Sequence, residues 1–93
     1  MDWLDRLQKR FRAALEELEY ELGRLPNEQE FVRFLREFDR GLLDDLNWLA
    51  MALEPPEARK RLYPFRKAGE PILRKPTRKL IRRLLREERK ARG

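Results

Sequence analysis

The chain has 93 residues, 41% hydrophobic and 43% charged, which is enough apolar material for one modest helical core and leaves little for a second. It holds no Cys, His or Ser, and its only Thr is Thr77, so Ser/His and Cys/His nucleophile pairs, Cys/His zinc sites and disulfides are excluded. The net charge of +6 is divided by position: residues 1–54 hold 8 Lys and Arg against 13 Asp and Glu, a net of −5, whereas residues 55–93 hold 15 against 4, a net of +11.

Leu4, Leu7, Phe11, Leu15, Leu18, Leu22 and Leu25 recur at steps of three or four and fall on one stripe of a helix predicted over residues 2–22. Opposite charges four apart (Asp2 with Arg6, Asp5 with Lys9, Arg12 with Glu16) support its wet side, and Gly23 can supply the left-handed residue that ends it. Asn27 followed by Glu30 is a capping pair that starts a second helix at about residue 28. The run Gly23-Arg24-Leu25-Pro26-Asn27-Glu28-Gln29-Glu30 resembles the helix-opening phrase common in sigma-factor and other bacterial helical DNA-binding domains; the likeness is one of capping chemistry and carries no function.

The second helix, to about residue 39, presents Phe31, Phe34, Leu35 and Phe38 on one face, and all three Phe are expected in the core. The short connection makes it an antiparallel neighbour of the first. Gly41 is expected to break the pattern, with a third helix over residues 42–53 that buries Leu42, Leu46, Leu49 and Leu53 and stops at Glu54-Pro55-Pro56. Asp44 and Asp45 would then sit at its favourable N-terminal end. Trp48 and Met51 lie about 100° or more from the Leu stripe, either buried by the following chain or forming an exposed patch for a partner.

A helix-turn-helix across Gly41 fits badly, because its recognition helix would carry Asp44, Asp45 and Asn47 and no Arg or Lys. Five of the six prolines fall between residues 55 and 76, so this stretch reads as a punctuated, basic connector. A short helix opening at Pro56 and ending at Pro64 is expected within it, with Phe65, Ile72 and Leu73 pinning the remainder to the body. Its segment Arg61-Leu62-Tyr63-Pro64-Phe65-Arg66-Lys67 interleaves aromatics with cations, and Tyr63 is the better placed of the two rings to stack on a base.

From Thr77, read as an N-cap, a last helix is predicted to about Ala91. With Leu80 at zero on a helical wheel, Leu84, Ile81 and Leu85 fall at about 40°, 100° and 140°, while Arg78, Lys79, Arg82, Arg83, Arg86, Arg89 and Lys90 fill the arc from about 160° to 300°. Like charges stack turn upon turn, as no surface arranged only for solubility requires. Arg59, Lys60, Arg61, Arg66, Lys67, Arg74 and Lys75 continue the charge upstream.

The expectation is an all-α protein, a small helical bundle in one compact domain: an acidic body at 1–54 (antiparallel helical hairpin plus third helix), a proline-rich basic connector at 55–76 and a basic C-terminal amphipathic helix at 77–93. The function expected is non-enzymatic and cytoplasmic: an accessory protein that binds DNA or RNA through phosphate contacts, as subunit or regulator of a larger nucleoprotein complex. Neither cofactor, metal nor small-molecule substrate is expected, and no membrane span. The alternative is a protein-interaction module that docks an acidic partner or a second copy through Trp48 and Met51. A solvated face and an anionic membrane surface are the other uses of such a ridge.

Overall fold

The computed structural model describes residues 2–55 and 75–93. Among these are four helices and no strand: α1 (Trp3–Leu22), α2 (Glu28–Phe38), α3 (Arg40–Ala52) and α4 (Lys75–Ala91). The fold is an all-α bundle, as the periodicity predicts. The expected short helix and the pinning residues Phe65, Ile72 and Leu73 lie outside the described residues.

Local chemistry sets the helix ends. Asp2 caps α1 by accepting from the Asp5 N–H at 2.8 Å, and Gly23 ends it at φ 73°, a conformation open to Gly without strain. At α2 the capping box closes in both directions: Asn27 accepts from the Glu30 N–H at 2.9 Å, and the Glu30 carboxylate accepts from the Asn27 N–H at 3.0 Å. Arg24 grips that carboxylate with both terminal nitrogens, at 2.9 and 2.7 Å.

Asp39, rather than Gly41, separates α2 from α3. Its backbone leaves the helical region at φ −152°, and its side chain accepts from the Leu42 N–H, so one residue closes one helix and opens the next. Gly41 lies inside the first turn of α3. Since α3 begins two residues early, Asp44 and Asp45 fall beyond its first turn. Asp45 instead accepts from Arg10 of α1 at 2.6 Å, and Asp39 lies 3.5 Å from the same guanidinium, tying α1 to the start of α3.

One core joins all four helices. Leu7, Phe11, Leu15 and Leu18 of α1 meet Phe31, Val32, Phe34 and Leu35 of α2, Leu42, Leu43 and Leu46 of α3, and Ile81 and Leu85 of α4. Phe11 and Phe31 pack edge to face with ring centroids 5.2 Å apart. Four predicted core positions fail at element ends: Leu4, Leu22, Phe38 and Leu53 are exposed, Phe38 to 67%. Phe38 has the right angle on the wheel, but it is the last residue of α2 and its ring covers only Phe34, at 5.1 Å. On α3 the buried face is Leu42, Leu43, Leu46, Asn47 and Ala50, with Leu49 partly buried at its edge, while Leu53 shares the angle of this face but caps the helix beyond its last turn.

Candidate nucleic-acid interface

The basic helix is longer at its start than its sequence suggests. α4 begins at Lys75, which places Pro76 in its first turn, where a missing N–H costs nothing, and Thr77 inside the helix as a fully buried residue instead of a cap. Ile81 and Leu85 enter the core and Leu80 is buried beside them. Burying these three turns the opposite face, centred on Lys79 and Arg86, to solvent. Lys75, Lys79, Arg82, Arg83, Arg86, Arg89 and Lys90 are all exposed.

The cations of α4 divide by what faces them. On the shoulder toward α2, Arg78 donates to one oxygen of Glu28 at 2.7 Å and Arg82 to the other at 2.6 Å. Glu28 is largely buried there, 12% exposed at its side chain. On the opposite shoulder Arg83 lies 3.4 Å from Glu87, one turn on. Arg92 pairs with Glu19 of α1 and, at 3.7 Å, with Glu88; Glu88 in turn meets Arg12 of α1 at 3.6 Å. The ties between arm and body thus run with both polarities. Lys75, Lys79, Arg86, Arg89 and Lys90 engage in no ion pair among the described residues.

Two clefts open beside α4. One, about 570 Å³, lies between the start of α2 and α4 and is bordered by Glu28, Gln29, Arg78, Arg82, Arg86 and Arg89. The second, about 270 Å³, is bordered by Gln29, Val32, Arg33, Arg36 and Arg78. Gln29 and Arg78 wall both, so the two clefts adjoin as a furrow along the α2–α4 seam. Arg33, Arg36 and Glu28 were not singled out from sequence. The signal was present: with Phe31 at zero, Gln29, Arg33 and Arg36 fall at about 160°, 200° and 140°, while Glu30 and Glu37 fall near 260° and 240°. The net acidity of residues 1–54 conceals this split of α2 into a basic and an acidic side.

The predicted interface residues Lys75, Arg78, Lys79, Arg82, Arg83, Arg86, Arg89 and Lys90 are therefore gathered on α4. Arg59, Lys60, Arg61, Tyr63, Arg66, Lys67 and Arg74 lie outside the described residues. Trp48 is 48% exposed and Met51 partly buried on α3, off the buried Leu face. A narrower apolar groove of about 190 Å³ runs between α1, α3 and α4, bordered by Leu4, Leu7, Phe11, Leu46, Leu49 and Leu84. Among the described residues no helix is long and apolar enough to cross a membrane, and no group of three or more acidic side chains could hold a metal ion. Compared with family models, curated proteins and solved structures, the chain matches none.

Proposed function

We propose that the protein is a non-enzymatic nucleic-acid-binding accessory protein that contacts the phosphate backbone through α4, as subunit or regulator of a larger nucleoprotein complex. The observation that carries this reading is the solvent-facing set Lys75, Lys79, Arg86, Arg89 and Lys90. These five cations share one side of one helix, and no carboxylate among the described residues is paired with them. Such a ridge repels itself, and a polyanion relieves the repulsion while releasing condensed counterions. Phosphate contacts specify no base, so binding without sequence preference is expected.

A salt titration of a labelled DNA or RNA oligonucleotide tests the reading. The logarithm of the binding constant should fall linearly with log salt at a slope near −0.9 per phosphate neutralised. Lys79→Gln with Lys90→Gln should weaken binding and reduce the slope by about two. Absence of binding at low salt would refute the reading.

A second reading, a protein-interaction module, is favoured by the half-exposed indole of Trp48 beside partly buried Met51 on α3. Trp48→Ala should then abolish self-association in sedimentation equilibrium, or capture of an acidic partner, with the helical content unchanged.

A further inference from the structure

We infer that the nucleic acid, on the reading just proposed, lies in the α2–α4 furrow as a duplex, held by Arg33 and Arg36 of α2 together with Arg78, Arg82, Arg86 and Arg89 of α4. The site then belongs to two helices, and the body that is acidic by composition supplies one wall of it.

The charge of the furrow supports this directly. Among the described residues six arginines border the two adjoining clefts and the only carboxylate there is Glu28, whose oxygens are both taken up by Arg78 and Arg82. Glu28 fixes those two guanidiniums against α2 by their Nη1 and Nε groups, leaving their remaining N–H donors for a second acceptor. Those donors are open to a phosphate at the seam, and among the described residues no ion pair engages Arg33 or Arg36. Arg36 does keep a local role through its carbonyl, which accepts from the Arg40 guanidinium at 2.9 Å.

Reach and composition both fit a backbone. From Arg78 to Arg89 α4 rises about 16 Å, comparable to the axial rise of about five nucleotides of one strand. Among the described residues the side chains along the furrow are guanidinium, amide and aliphatic, with the paired carboxylate of Glu28 and no aromatic. Guanidiniums grip phosphates, whereas unstacked bases need an aromatic platform. A furrow so built suits a duplex, whose bases are hidden, over a single strand.

The test compares variants of the whole chain against a short labelled DNA duplex between about 50 and 200 mM salt, with circular dichroism as a control for folding. Arg33→Gln with Arg36→Gln should weaken binding about tenfold at low salt and reduce the salt slope by about two, as expected for two lost phosphate contacts. Arg6→Gln with Lys9→Gln removes the same charge from α1 and should change neither. If the α2 pair behaves like the α1 pair while Lys79→Gln with Lys90→Gln still weakens binding, the furrow is refuted and the ridge on α4 stands. If the unaltered protein binds no duplex but does bind single-stranded oligonucleotide, the duplex assignment is overturned; if it binds neither, the proposed function falls with it.

Discussion

Glu28 and Arg82 meet 2.6 Å apart although 54 positions separate them in the chain, and the second oxygen of the same carboxylate holds Arg78. One buried acid at the start of α2 therefore neutralises part of the cationic helix and fastens it to the body. Stability and polyanion binding are opposed at this residue. Glu28→Gln keeps the shape and an acceptor but removes the charge, so the fold should lose about 1 kcal/mol, a modest figure because both arginines are partly exposed and screened. Binding to a duplex should instead tighten, with a salt slope steeper by about one. Paired urea unfolding and fluorescence anisotropy would check both, and weaker binding by a folded variant would count against the role given to Glu28.

The fastening is also apolar. Ile81 is fully buried and joins the core of the other three helices. Ile81→Ala should cost about 2 to 5 kcal/mol, whereas Lys79→Ala on the exposed side of the same helix should stay within about 0.5 kcal/mol. Both are read from the urea midpoint followed by circular dichroism. An unchanged midpoint for Ile81→Ala would mean that α4 unfolds apart from the body.

Two phenylalanines seven residues apart on one face of α2 should behave differently. Phe31 is fully buried against Phe11, whereas Phe38 is two-thirds exposed. Phe31→Ala should lower stability by about 3 to 5 kcal/mol and Phe38→Ala by less than about 1. Equal losses would place Phe38 in the core after all.

These two residues also indicate how far periodicity carries. It locates α1, α2 and the apolar strip of α4, because the angle of a side chain about its axis follows from spacing alone. The height of a residue along the bundle does not, so Phe38, Leu53 and Leu4 share the angle of core residues and still project past the neighbours that would cover them. The α2–α3 junction was misplaced for a related reason: Asp39 outdoes Gly41 as a breaker only because its side chain can accept from the Leu42 N–H. In the candidate site, the α4 cations are legible from composition and wheel together. The role of Arg33 and Arg36 depends on which side of α2 faces α4, a tertiary fact that a count of charges in residues 1–54 hides.

Asn47 is the polar exception within the buried face of α3. It is 5% exposed, and neither its amide nitrogen nor its carbonyl oxygen has a hydrogen-bond partner among the described residues. Leaving such groups buried and unsatisfied costs about 1 to 3 kcal/mol. Asn47→Leu, which has the same branched skeleton of four side-chain heavy atoms and is flanked on the same face by Leu43, Leu46 and Ala50, should raise the thermal midpoint and stabilise the fold by about 1 kcal/mol. A loss of stability would mean that the amide is bonded where the native chain needs it.

Acid should loosen the turn between α1 and α2 through Glu30. The bidentate contact from Arg24, and then the N–H of Asn27, hold its carboxyl down from the ordinary value near 4.5 to about 2. The folded value lies below the unfolded one, so folding favours the charged form. This stabilisation is complete above the unfolded value and disappears as pH falls from about 4.5 through about 2. Glu30→Gln retains an acceptor for the capping box and cannot titrate. Thermal unfolding of the two proteins across that window should give a gap favouring the native chain at pH 5 that closes as the solution is acidified. A gap independent of pH would show that Glu30 contributes through its shape and hydrogen bonds alone, without a shifted ionisation.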